Sequence, residues 1–356
     1  MSEQMTSRER MLAAINHQPV DRVPLDIWAV GEVWEALRKH VGAGVNIDEA
    51  LGLDGFVGSS PKYVGPELPD LGPDEREDMW GIRFRKQLYN GGEYWEIFHH
   101  PLADARTIDD LEAYRWPQVD WWDFTDVREQ ARQAHAAKPL MLGYMAPLTY
   151  HMYLRGLENC MQDPLLDAEF TRHLLRRLGE YNDALHRRHL ETVAPYVDLV
   201  QVTDDLGMQT GPLLGLAAWR EFYKPWSAKF CRLGKEFGCK VFHHDDGAIR
   251  EFIPDLIEIG VDVLNPIQWP CPGMDQVGLK RDFGRSLCFH GAMDNQRTMP
   301  FGTVQEVRAE VRYNIDVLAS DKTGFILAPC HNLQANTPVE NILAMYDEAR
   351  TYGVFR

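Results

Sequence analysis

Short runs of consecutive apolar residues recur along this chain, separated by longer stretches in which apolar positions return every three or four residues. A short continuous run marks a strand buried on both faces, and the three-to-four spacing marks a helix with one face on a core. The runs are Val23-Pro24-Leu25-Asp26-Ile27-Trp28, Asp54-Gly55-Phe56-Val57-Gly58, Leu140-Met141-Leu142-Gly143-Tyr144, Leu199-Val200-Gln201-Val202, Lys240-Val241-Phe242-His243, Val261-Asp262-Val263-Leu264, Leu287-Cys288-Phe289-His290 and Phe325-Ile326-Leu327-Ala328. Amphipathic helical patterns cover 219–237, 249–259, 304–318 and 339–352. A first helix is expected over 7–16, capped by Ser7, with Pro19 beyond its end. Strict alternation of strand and helix implies a parallel sheet covered by helices. About eight repeats in 356 residues favour a (β/α)8 TIM-type barrel over a doubly wound sheet.

One segment departs from this rhythm. Residues 79–98, MWGIRFRKQLYNGGEYWEIF, alternate with period two around Asn90-Gly91-Gly92, the signature of a β-hairpin. It is expected as an insertion near the N-terminal third, packed over the barrel, with the acidic, proline-rich 61–78 as its approach loop. No linker or repeat divides the chain, so 1–356 is expected to be a single domain.

Composition narrows the function classes. The net charge of −16 opposes general binding to nucleic acid or to an anionic membrane surface, and no basic run offsets it. No stretch approaches the ~20 apolar residues of a membrane span. The start, Met1-Ser2-Glu3-Gln4, has no signal-peptide core, so a cytoplasmic location is expected. The six cysteines form no CxxC pair and are expected to be reduced, most of them buried.

In such a barrel the active site lies where the strands end. Here those ends are polar: Thr203-Asp204-Asp205-Leu206-Gly207, His243-His244-Asp245-Asp246-Gly247, Asn265-Pro266-Ile267-Gln268, His290-Gly291-Ala292-Met293-Asp294 and Pro329-Cys330-His331-Asn332. Each has a plain structural reading as well. Asp204 and Asp205 suit a helix cap or a loop ion pair, a lone histidine suits a hydrogen-bonded core position, and Cys330 suits a small buried apolar site. Asn265 and Asn332 suit turns. Independent structural needs would not gather five polar clusters at one rim, which points to a site there. Histidine, cysteine and carboxylate together suit Zn²⁺ with an open position, and the same groups can serve as metal-free acids and bases. Phosphate-binding, dinucleotide-binding and hydrolase motifs are absent.

These strand-end motifs, together with Thr6-Ser7-Arg8-Glu9-Arg10, Pro19-Val20-Asp21-Arg22-Val23-Pro24, Gly260-Val261-Asp262-Val263-Leu264 and Thr337-Pro338-Val339-Glu340-Asn341, run nearly end to end. The sequence they form resembles the uroporphyrinogen decarboxylase superfamily, in its methyltransferase-like, corrinoid-linked branch. The resemblance implies a (β/α)8 barrel with its site at the strand ends. It also implies a zinc ion held by a His-x-Cys pair and a further cysteine near the last strand, activating a thiol acceptor. His244 matches that histidine and Cys330 falls near that final cysteine, while Asp246 stands where the family has its middle cysteine. The expected metal ligands are therefore His244, Asp246 and Cys330.

Other members of the branch demethylate methoxylated aromatics or other donors and pass the methyl group to a corrinoid protein. The decarboxylase itself grips its substrate's carboxylates with an arginine-bearing N-terminal motif, where this chain has Asp26 and Trp28. The expected activity is thus methyl transfer between a small-molecule donor, a methoxylated aromatic or methylamine-like compound, and a corrinoid protein or thiol. Asp205, His244 and His331 are the expected catalytic residues. Asp26, Trp28, Tyr144, Asp204, Gln209, Gln268 and Asn332 are the expected substrate contacts. Any corrinoid would arrive on a partner protein, and the chain is expected to be a monomer or homodimer. The alternatives are a metal-free decarboxylase or carbon–carbon lyase, and a barrel that binds its ligand without turning it over.

Overall fold

In the computed structural model, which describes residues 4–89 and 91–355, six parallel strands lie side by side. Their order is Phe325–Pro329, Cys288–Met293, Val263–Asn265, Lys240–His244, Leu199–Val202 and Met141–Met145. Two extended segments complete the ring. Val57 bridges Leu140 and Leu25 bridges Leu327, both in parallel register, and the Asp54 and Gly55 amides donate to the Leu25 carbonyl at 2.8 and 3.1 Å. All eight apolar runs of the sequence occupy the ring, and the fold is the (β/α)8 barrel of the TIM type.

The strand period of two decides what faces the axis. Leu199, Phe242, Val263, Cys288 and Ile326 point inward as one apolar layer, joined by Met11, Ala14 and Ile15 of the first helix, which packs against that layer. The next inward positions along three adjacent strands are His244, Asn265 and His290. Outward residues such as Val200, Val241, Leu264, Phe289 and Leu327 pack under the helices in the main core.

The first helix, Ser7–Ile15, is capped by Thr6, one residue before the expected Ser7. Thr6 and Glu9 form a reciprocal capping box, which satisfies two orphan amides where Ser7 would satisfy one. Helices Val304–Leu318 and Val339–Tyr352 fall where their periodicity predicts, and 219–237 divides into a wide turn at Trp219–Tyr223 and the helix Lys224–Glu236. Across the seam between the first two barrel segments lies a buried ion network. Asp54 accepts Arg10 Nη1 at 2.5 Å, Arg22 Nη1 at 2.8 Å and the Leu25 amide at 2.9 Å.

The insertion is a three-stranded antiparallel sheet. Arg83–Tyr89 and Gly92–His99 form the expected hairpin, whose turn residue Asn90 lies outside the described residues, as do residues 1–3. The additional strand, Glu75–Glu77, falls in what reads as an approach loop. Its Glu-Arg-Glu sequence carries no apolar signal. Cross-strand pairs of Glu77 with Arg83 and Glu75 with Arg85, each at 2.8 Å, accompany the ladder. Tyr89 donates its hydroxyl to Gln334 Oε1 at 2.9 Å, so the insertion leans on the loop after the last barrel strand. Among the described residues no helix is long and apolar enough to cross a membrane.

At the base of the insertion Asp78 accepts the Trp80 and Ile82 amides at 2.9 and 3.0 Å, and burial pushes its carboxyl up to about 6. A folded-state carboxyl that titrates above its unfolded value binds a proton first as pH falls. Its destabilising charge is therefore present above about pH 6 and is removed toward pH 4. Asp78→Asn keeps an acceptor oxygen for both amides and deletes the charge. Denaturant unfolding is expected to show the variant about 2 kcal/mol more stable than wild type at pH 7.5, with no gain at pH 4.

Candidate active site

The site begins one layer above the apolar plug. His244, Asn265 and His290 are neighbours across three strands, and a hydrogen-bonded chain links them to the first barrel segment. Asp26 Oδ2 lies 3.0 Å from His290 Nε2, His290 Nδ1 lies 2.7 Å from Asn265 Nδ2, and Asn265 Oδ1 lies 2.6 Å from His244 Nδ1. The Trp28 indole also donates to Asp26 Oδ2, at 3.2 Å, and its ring sits 5.3 Å from the His244 ring and 5.9 Å from that of His290.

The far nitrogen of His244 faces a carboxylate. Asp246 Oδ2 lies 3.7 Å from His244 Nε2 and 3.7 Å from His331 Nε2, and the three ligand atoms all fall within 4.8 Å of one another. Glycine makes this arrangement accessible. Gly247 has φ +84°, and a Cβ on Gly207 would collide with the Asp246 carbonyl oxygen, so the loops after two neighbouring strands touch backbone to backbone. Gln268 Oε1 accepts the Gly247 amide at 2.7 Å and Gln268 Nε2 donates to Gln209 Oε1 at 3.2 Å, bracing the same turn.

Charge is concentrated here. Burial pushes the Asp205 carboxyl up; His244 and His331 oppose the rise while Asp246 adds to it. Burial pushes His331 down, against the pull of Asp246. Behind them, His243 Nδ1 donates to the Val202 carbonyl at 2.7 Å, and burial holds this imidazole down at about 4. Its Nε2 then faces Asp245 Oδ2 at 3.3 Å as an acceptor. Burial pushes the Asp245 carboxyl well above the ordinary carboxylate range.

The structure brings several residues singled out in the sequence together and separates others. His244, Asp246, His331, Asp205 and Trp28 share the mouth of the barrel. Tyr144 is partly exposed near Asp205, and burial raises its hydroxyl above the ordinary range. Asp26 is buried and its carboxylate is engaged by His290 and Trp28. Asp204 uses Oδ1 to accept the Leu148 and Thr149 amides at 2.9 and 3.0 Å, capping the helix Pro147–Arg155, while Oδ2 is buried without a partner among the described residues. Gln209 and Gln268 brace the Asp246 turn as described. Asn332 is half-buried and its carbonyl accepts Gln334 Nε2 at 3.0 Å.

Cys330 does not join the His244, Asp246 and His331 group. Its thiol donates to the Ile267 carbonyl at 3.3 Å, and burial holds it well above the usual thiol range. Asn265 and His290 stand in the strand-end clusters read from the sequence, which gave neither of them a site role. Their signal was the spacing Phe242-x-His244, Val263-x-Asn265 and Cys288-x-His290, which places one polar residue above each apolar inward position.

A barrel whose strand ends carry this polar group has the architecture of a strand-end active site. Residues 96–352 match the model of the uroporphyrinogen decarboxylase (URO-D) family, and the chain belongs to that family. Among solved structures, a methyltransferase from Methanosarcina mazei is similar over 98% of this chain and 99% of its own, with a TM-score of 0.65 and 18% identity. At that identity the likeness shows a shared fold. A B12-independent methionine synthase from Shewanella sp. W3-18-1 is similar over 63% of this chain and 64% of its own, at TM-score 0.39 and 12% identity. No curated protein matches the chain.

Proposed function

We propose that this protein is a methyltransferase that moves a methyl group from a small-molecule donor to a corrinoid protein or a thiol, with zinc held by His244, Asp246 and His331. The observation that carries this reading is the convergence of three ligand atoms, two imidazole nitrogens and one carboxylate oxygen, at the mouth of the barrel. The 3.7 Å separations are close to the ~3.4 Å between ligands around a tetrahedral ion with bonds of ~2.1 Å. The donor set is one that zinc accepts, with a coordination position left for substrate. Zinc bound there supplies a Lewis acid that polarises an oxygen or lowers the pKa of a thiol.

The protein's own groups do the rest. Asp205, its carboxyl raised by burial, donates a proton to the atom that loses the methyl group. Trp28 forms an apolar wall over the imidazoles, which suits a methoxylated aromatic or methylamine-like donor. The chain acts as one domain in the cytoplasm, as a monomer or homodimer, and any corrinoid comes on a separate protein. A decarboxylase acting on a polycarboxylate is disfavoured by Asp26 and Trp28, which stand where the resemblance to that enzyme calls for an arginine-bearing motif.

Elemental analysis of untagged protein tests this reading. About one zinc per chain is expected in wild type and in Cys330→Ser, with loss in Asp246→Ala and His331→Ala. Zinc lost from Cys330→Ser and kept by His331→Ala would replace His331 with Cys330 as ligand. Incubation of the zinc protein with methoxylated aromatics or methylamines and reduced cobalamin is expected to yield methylcobalamin. Carbon dioxide released from methoxylated aromatic acids or from polycarboxylates, without methyl transfer, would instead establish the decarboxylase reading.

A further inference from the structure

We propose that Asp26, His290 and Asn265 are positioning residues that lock His244 in the tautomer with its proton on Nδ1, leaving Nε2 as a bare lone pair aimed at Asp246 and His331. The proposal deepens the reading of His244 as a metal ligand and rests on it for its consequence, but the tautomer itself exists without metal.

The argument runs from a group of known polarity to one of unknown polarity. An ionised carboxylate only accepts hydrogen bonds, and the Trp28 indole that shares Asp26 Oδ2 only donates. His290 Nε2, at 3.0 Å from that oxygen, therefore carries a proton. In the neutral ring His290 Nδ1 is then an acceptor, and its neighbour at 2.7 Å must donate. That neighbour is the Asn265 side-chain amide, whose nitrogen consequently faces His290 and whose oxygen faces His244. The oxygen accepts from His244 Nδ1 at 2.6 Å, which puts the His244 proton on Nδ1. Nε2 is left unprotonated.

The amide is the point at which the chain could reverse. With Asn265 turned over, its oxygen would require a second proton on His290 and its nitrogen would require a lone pair on His244 Nδ1. The His244 proton would then sit on Nε2, where it blocks coordination. Both states keep the His290 Nε2 proton on Asp26, and they differ in whether His290 Nδ1 is a lone pair facing the Asn265 nitrogen, as the geometry has it, or carries a second proton. His290 and Asn265 are fully buried and Asp26 and His244 nearly so, which leaves little room for water to substitute for a missing partner. Metal-binding histidines commonly have their second nitrogen fixed in this way, and loss of such a partner costs 10–100-fold in metal affinity.

Histidine-selective ¹⁵N labelling of the full-length, metal-free protein tests the tautomer directly. Long-range proton–nitrogen correlations, with His244 assigned by loss of its signals in His244→Gln, are expected to show a protonated Nδ1 and a pyridine-like Nε2. A protonated Nε2 would overturn the proposal, whether or not wild type binds zinc. Two variants test the chain at a residue that does not touch the metal. His290→Phe removes the acceptor for Asn265 and is expected to lower zinc affinity 10–100-fold, with His244 divided between tautomers. His290→Gln offers an amide N–H to Asp26 and an oxygen to Asn265, so it is expected to restore affinity to within a few-fold of wild type. Equal zinc affinity in His290→Phe and wild type would overturn the proposal, as would a His290→Gln protein as impaired as His290→Phe. Failure of the ligand assignment reads differently: wild type would bind no zinc while retaining the expected nitrogen pattern.

Discussion

Replacing His244 with alanine is expected to weaken zinc binding by more than about 100-fold, since removing a ligand costs more than removing the group that orients it. Methyl transfer is expected to fall by about 10³-fold or more, because the Lewis acid contributes several kcal/mol and each 1.4 kcal/mol is a factor of ten. The fold is expected to survive. The side chain is 11% exposed at the mouth of the barrel, water can enter the space it leaves, and only the Asn265 oxygen loses a partner. Equilibrium dialysis against zinc and single-turnover methyl transfer are the two measurements. A variant with wild-type zinc affinity and turnover would remove His244 from the metal site and from the mechanism.

The largest expected effect on stability lies at the seam between the first two barrel segments. Asp54→Ala leaves the buried Arg10 guanidinium without one of its two carboxylate partners, leaves Arg22 without its carboxylate partner and strips the Leu25 amide of its acceptor. Breaking a buried ion pair from one side costs about 3–5 kcal/mol, because the remaining charge stays desolvated. Against a typical total of 5–15 kcal/mol this is a large loss, and it falls on the seam that closes the ring. Denaturant unfolding is expected to show a lower midpoint, with reduced soluble expression at 37 °C. Asp54→Asn keeps an acceptor for Leu25 and is expected to fall between alanine and wild type. An Asp54→Ala protein within 1 kcal/mol of wild type would show that Asp21 alone satisfies Arg10.

The barrel was legible because its strands are buried on both faces, so each announces itself as an apolar run bounded by polar residues. The hairpin was legible for the opposite reason, its alternation being that of a half-exposed ribbon. The strand Glu75–Glu77 was not, since an exposed edge of charged residues is held by backbone bonds and cross-strand pairs that leave no hydrophobic trace. At the site, strand-end position located His244, Asp246 and His331 at one mouth. It did not assign their partners. Asp204 and Asp205 are adjacent in sequence, yet one carboxylate caps a helix while the other is felt by His244 and His331, a difference set by which way each points around the strand end. Cys330 sits beside His331 in the chain, but its thiol is turned to the Ile267 carbonyl. The chain from Asp26 to His244 crosses the barrel interior, and its members are local only in three dimensions.

The Asp26–His290 hydrogen bond joins residues 264 positions apart, and the adjoining Leu25–Leu327 bridge spans nearly the whole chain. Contacts this distant in sequence carry a high loop-closure cost and form late unless much of the intervening structure is already in place. A nascent chain emerging from the ribosome can therefore build most of its helices and neighbouring strands while the His244 imidazole still lacks its anchor. On the proposed zinc reading, high-affinity metal uptake is expected only from the completed polypeptide. Partially synthesised or truncated chains ending before the Phe325–Pro329 strand would neither close the ring nor compete with finished molecules for scarce zinc.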